Sequence, residues 1–235
     1  MHASAPVHTI QPASVTPQAE PAIGSHSHAA VIIADPLGQS MNLMGATMVY
    51  PRNTEIFGEN EPADYLYKVV SGSVRTYKIL SDGRRQVGGF YLPGDLFGLE
   101  FADEHTLSAE AISDTKVLVV KRSTLTALAG HDALIAQQLF NLTGRELRRA
   151  QDRILLLVKS AQERVASFLL EMAERVSGNS IELPMSRQDI ADYLGLTIET
   201  VSRTLTSLEC ASAIEVPTSR RIVLRNRPAL SRMNG

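Results

Sequence analysis

The chain has 235 residues, 44% apolar and 20% charged, enough for roughly two domains with ordinary cores. No run approaches the roughly 18 uninterrupted apolar residues of a membrane span, and no basic segment leads into an apolar block with a cleavage site, so a cytoplasmic location is expected. The lone cysteine, Cys210, excludes an intrachain disulfide, a cysteine-ligated iron-sulfur cluster and a thiolate zinc site.

The net charge of -2 conceals an uneven distribution. Residues 30–128 hold nine Lys/Arg against twelve Asp/Glu, whereas residues 218–235 carry Arg220, Arg221, Arg225, Arg227 and Arg232 and no acid. Positive charge thus gathers at the C-terminal end, where a polyanion can use it.

Residues 1–29 are rich in Pro, Ala, Ser, Thr and His and lack periodicity, which predicts a disordered leader. Its four histidines have no carboxylate or cysteine partner nearby, and no metal site is expected. From Ala46 to Lys121 short β-branched and aromatic runs alternate with turn residues, predicting an antiparallel β domain over 30–128. Its strands are expected at 47–50, 54–57, 65–71, 73–80, 84–91, 108–111 and 116–121. Ser81-Asp82-Gly83 closes a tight hairpin, and Gly72 and Pro93-Gly94-Asp95 turn further corners of a rolled sheet.

From His131 the period becomes helical. Thr143, Leu147, Ala150, Ile154 and Leu157 recur at alternating spacings of four and three, a narrow seam suited to burial against a second copy of the chain. A dimerisation helix over 129–158 is expected. Next comes an amphipathic helix bearing Val165, Phe168, Leu169, Met172 and Val176 on one face and ending at Gly178.

The stretch Leu183 to Glu209 has the mechanics of a helix-turn-helix. Ser186 caps a first helix with Asp189 three residues on, Ile190 and Leu194 bury its inner side, Gly195 ends it, Leu196 fills the corner and Thr197 caps the second helix. In that second helix Val201, Leu205 and Leu208 face inward, so Glu199, Ser202, Arg203 and Thr206 share the exposed row. Arg203 suits guanine O6 and N7, Glu199 accepts from cytosine N4, and Ser202 meets thymine or phosphate. Strands at 213–216 and 221–224 around Pro217-Thr-Ser-Arg220 form a wing. Ser186, Arg187, Thr197, Thr200, Thr206, Arg220 and Arg221 are candidate phosphate contacts. An aspartate at 186 is expected to repel DNA while preserving the fold, and Cys210 reads as a small, partly buried spacer.

The whole is α+β: an antiparallel, jelly-roll β-roll of the cyclic-nucleotide-binding type, a long dimer helix, and a winged helix-turn-helix over 159–235. That order, with Gly58-Glu-Asn through Lys68-Val-Val-Ser-Gly-Ser-Val, Pro93-Gly-Asp-Leu-Phe-Gly and Arg187-Gln-Asp-Ile-Ala-Asp-Tyr-Leu-Gly-Leu-Thr-Ile-Glu-Thr-Val-Ser-Arg, resembles the CRP/FNR superfamily of transcription regulators, most of all its FixK branch. The resemblance implies a homodimer on a palindromic operator in double-stranded DNA. Glu199, Ser202 and Arg203 would read TTGA half-sites, RNA polymerase would be a partner, and the targets would be genes of low-oxygen respiration and nitrogen fixation. Members that bind cyclic AMP carry an arginine for its phosphate where this chain has Leu107, so neither a nucleotide nor any other cofactor is expected. His105 and His131 are weak haem candidates, read as surface polar residues. A cupin-like metalloenzyme is disfavoured because the β domain offers only His105 as a ligand. Gating by a small ligand, or repression rather than activation, stays open at this level.

Overall fold

A computed structural model describes residues 35–156, 158–176 and 178–233. The proposed leader, its histidines and Leu157 of the seam lie outside the described residues.

The first half is a pair of four-stranded antiparallel sheets. Strands β1 (Ala46–Tyr50), β2 (Glu55–Phe57), β3 (Tyr65–Ser71), β4 (Val74–Ile79), β5 (Arg85–Tyr91), β6 (Leu96–Phe97), β7 (Ser108–Ala111) and β8 (Thr115–Lys121) pair in the orders β1-β8-β3-β6 and β2-β7-β4-β5. Gly72 joins β3 to β4 at φ +84°, and a Cβ there would lie 2.4 Å from the Asp114 carbonyl oxygen, so only glycine fits this corner. Alternation along the strands sends Phe57, Tyr67, Val69, Val74, Phe97 and Val117 between the sheets.

Two short helices flank the roll, α1 (Pro36–Met44) and α2 (Arg122–Ala129). Neither α1 nor α2 was expected, nor the two-residue β6. Asp35 caps α1 with Pro36 at its first position, but Gly38 and Ser40 blur the helical signal, and α2 follows β8 with no side-chain cap to mark its start.

The long helix α3 (Ala133–Leu156) buries Leu142, and buries Ile135 with Leu37 and Met41 of α1 and Leu66 and Leu118 of the roll. Its seam face is uncovered by its own chain. Leu147 is 60% and Ile154 65% exposed, Ala150 is exposed, and Thr143 is half-buried with its hydroxyl donating to the Leu139 carbonyl at 3.0 Å. Phe140, 73% exposed, extends the same row one heptad earlier, a position the sequence reading passed over.

Helix α4 (Ala161–Arg175) opens with a capping box between Ser160 and Glu163. It ends at Arg175, not Gly178, and Val176 is 40% exposed rather than on the buried face. The remaining elements are β9 (Ser180–Glu182), α5 (Arg187–Leu194), α6 (Ile198–Cys210), β10 (Ile214–Glu215), β11 (Arg221–Leu224) and α7 (Arg227–Met233). The order β10-β11-β9 makes the wing three-stranded, with β9 too short to announce itself in sequence.

One hydrophobic cluster crosses from the β-roll into this C-terminal half. Val87 and Phe90 of β5, with Ile112, pack among Phe168, Met172, Ile190 and Leu194, and the Phe90 ring lies 5.2 Å from that of Tyr193. The outer face of β5 is therefore a docking surface for α4 and α5.

Candidate nucleic-acid interface

The helix-turn-helix forms as its residues dictate. The Ser186 hydroxyl accepts from the Asp189 amide at 3.1 Å, while Asp189 Oδ2 accepts from the Ser186 amide at 2.9 Å and hydroxyl at 2.7 Å. Gly195 closes α5 at φ +64°, a left-handed conformation that favours glycine. Thr197 caps α6, accepting from the Thr200 amide at 3.2 Å. Val201, Leu205 and Leu208 are buried, and Thr204 with them, which turns the opposite side of α6 outward.

On that outer side Glu199, Arg203 and Thr206 are exposed and Ser202 is half-buried. Glu199 stands in the first turn. Its own backbone amide, the Thr197 hydroxyl and the Arg203 charge hold its carboxyl below the ordinary range, so it is an anion ready to accept from a base amine. The Thr206 hydroxyl donates to the Ser202 carbonyl at 3.2 Å. Arg187, Thr206, Pro217, Thr218 and Ser219 line one surface groove between the start of α5, the end of α6 and the wing. Thr197, Glu199 and Thr200 line a second, open cleft of about 710 Å³ whose far wall is Leu80, Arg84, Arg85 and Gln86 of the β4–β5 hairpin.

The wing arginines are less free than their cluster suggested. Arg220 donates to the Pro184 carbonyl, Arg221 pairs with Glu182 at 3.7 Å, and Arg225 pairs with Glu215. Arg221 is half-exposed and remains open to a second partner.

Two readings are corrected. Cys210 is exposed, because it sits at the last turn of α6 on the side away from Leu208. His105 is 1% exposed and stacks on Phe57 at 3.6 Å between ring centroids, so it is a core residue; burial lowers its pKa against the pull of Glu100, and it stays neutral near pH 7. His131 is exposed. An aspartate at 186 would place a second carboxylate where the Ser186 hydroxyl now bonds Asp189, so such a change is expected to cost stability.

Sequence reasoning missed the groups that hold α5. Asp189 Oδ1 receives Arg75 of β4 at 3.0 Å and Arg85 of β5 at 2.6 Å, and Arg85 also meets Asp192 at 2.7 Å. Burial pushes the Asp189 carboxyl up, but Ser186 and the two guanidiniums outweigh it and hold it below the ordinary carboxylate range. These partners lie more than 100 residues apart in sequence, and nothing in local periodicity signals them.

A cavity of about 190 Å³ in the β-roll is bordered by Phe57, Tyr91, Phe97, Glu100, Leu107 and Glu146 among others. Two carboxylates and no cation border it among the described residues. Of the arginines that line the adjoining pocket, Arg149 pairs with Glu146 at 2.7 Å, Arg175 pairs with Asp95, and Arg153 lies 4.9 Å over the Tyr193 ring. Burial pushes the Tyr91 hydroxyl up to about 12. A cyclic phosphate in this cavity would face two acids with no cation in its lining, and these lining residues do not fit it.

The β-roll, the long helix with its uncovered apolar row and the capped helix-turn-helix with its wing define a DNA-binding transcription regulator. A Crp-like helix-turn-helix domain matches residues 163–233 and a cyclic nucleotide-binding domain matches 47–132. The chain is 52% identical over 204 residues to the nitrogen fixation regulation protein FixK of Azorhizobium caulinodans, covering 83% of this chain and 82% of that one. It is 43% identical over 183 residues to FixK of Rhizobium meliloti, covering 77% and 83%. The solved structure of FixK2 from Bradyrhizobium japonicum superimposes with a TM-score of 0.79 at 52% identity, over 82% of this chain and 98% of that one. The chain belongs to the CRP/FNR family of transcription regulators, in its FixK-like branch. These relatives are regulators, not enzymes, and among the described residues no helix is long and apolar enough to cross a membrane.

Proposed function

We propose that the protein acts in the cytoplasm as a homodimeric activator that binds an inverted repeat of TTGA-type half-sites and recruits RNA polymerase to genes of low-oxygen respiration and nitrogen fixation. Residues 30–128 form its β-roll, 129–158 its dimerisation helix and 159–235 its DNA-binding domain. Glu199, Ser202 and Arg203 read bases. Ser186, Arg187, Thr197, Thr200, Thr206 and the wing residues Arg220 and Arg221 meet phosphates. The carrying observation is the outward row on α6, held in place by the buried Val201, Leu205 and Leu208. Thr143, Leu147, Ala150, Ile154 and Leu157 pair α3 with its counterpart, supported by the exposure of Leu147 and Ile154. The cavity beside Leu107, bordered by Glu100 and Glu146 and by no cation among the described residues, supports action without a cyclic nucleotide.

Selection of duplexes from a randomised pool by the purified, effector-free protein tests this reading. The expected product is an inverted repeat of TTGA and TCAA; recovery of a single asymmetric site, or of no common sequence, contradicts it.

A further inference from the structure

We propose that the ionic network joining Arg75 and Arg85 of the β-roll to Asp189 and Asp192 of α5 is a gauge that fixes the distance between the two recognition helices of the dimer, and so selects half-site spacing. The proposal rests on the homodimer reading above.

Five contacts define the network. Arg75 bridges Glu110 at 2.9 Å and Asp189 at 3.0 Å, Arg85 bridges Asp189 at 2.6 Å and Asp192 at 2.7 Å, and the Gln86 amide donates to the Asp192 carbonyl at 2.7 Å. The side chains are withdrawn from solvent, Asp189 to 4% and Arg75 to 10% exposure. Burying such charges costs desolvation that apolar packing avoids, and apolar packing is already present beside them at Val87, Phe90 and Ala191. Stability alone therefore does not account for the charges. Directional bonds between forked guanidiniums and carboxylates add one fixed register of α5 on the sheet, which apolar contact leaves free to slide.

That register is transmitted. Gly195 and the bond from the Leu196 amide to the Ala191 carbonyl at 3.0 Å join α5 tightly to α6, so wherever α5 sits, Arg203 follows. At the other end the roll is fixed to α3 through Ile135, packed with Leu66 and Leu118, and α3 carries the seam. Helix α3 ends at Leu156 and α4 begins at Ala161, so the seam and the reading helix are not carried on one continuous rod. Two routes lead from the dimer axis to α5: α3 touches it directly, with Arg153 4.9 Å over the Tyr193 ring, and the roll reaches it through this network, the one that fixes a register by directional bonds. Two recognition helices must stand about 34 Å apart, or a multiple of that, to enter successive major grooves on one face of DNA. An error of one base pair both translates and rotates the second half-site.

The test is binding of the full-length protein to inverted repeats whose spacer is varied one base pair at a time. Wild type is compared with Arg85→Gln, Asp192→Asn and the conservative Arg85→Lys, with dimer content and melting followed in each. Arg85→Gln leaves the Arg75–Asp189 pair intact. The expected result is that wild type prefers one spacer, that Arg85→Gln and Asp192→Asn lower this preference by roughly tenfold, and that Arg85→Lys keeps most of it. Discrimination of a single TTGA half-site from scrambled DNA stays unchanged in all, a split that mere loss of stability does not produce. A selective wild type with equally selective variants overturns the gauge alone; a wild type indifferent to spacing overturns the homodimer reading and the gauge with it.

Discussion

Replacing Arg203 by alanine is expected to abolish sequence-specific binding while leaving weak, salt-sensitive association with DNA of any sequence. Arg203 is exposed on the outward row of α6, and its planar fork matches guanine O6 and N7. Losing one bidentate contact costs about 1 to 3 kcal/mol, hence about 2 to 6 kcal/mol over two independent half-sites. Non-specific binding draws instead on cations and amides that meet phosphate, and these survive the change. Competition between a TTGA repeat and scrambled DNA reads the difference, and undiminished discrimination by the variant would remove Arg203 from base reading.

Ile154→Asp is expected to yield a folded monomer with operator affinity lowered by roughly 10² to 10⁴-fold, because each half-site is then engaged alone. Ile154 is 65% exposed within its own chain, so the substitution removes little from the internal core. In a paired seam the new carboxylate would be buried beside its symmetry mate with no cation to offset it. Sedimentation equilibrium separates the outcomes, and an unchanged dimer would place the interface elsewhere than α3.

Much of this architecture is legible in the sequence because its signals are local. The bounds of β3 follow from alternation and the glycine at 72, and the helix-turn-helix follows from two caps, one left-handed glycine and a spacing of three and four at Val201, Leu205 and Leu208. What escaped is set by partners distant in the chain. Alternation marks both faces of β5 but does not say that α5 will cover one of them, so nothing local pairs Arg75 and Arg85 with Asp189 and Asp192. His105 reads as surface until the Phe57 ring lies against it, and Cys210 reads as a spacer until the end of α6 proves open. Phe140 was available from the heptad alone, seven residues before Leu147.

Without any bound effector, this chain is expected to present a reading surface complementary to an inverted TTGA repeat. Titration of the purified, ligand-free protein against that repeat and against its scrambled counterpart, at matched salt, tests it most directly. Tight binding to the repeat is expected, with at least a thousandfold preference over the scrambled duplex, about the lower bound for specific operators. Equal, salt-limited binding to both duplexes would contradict it.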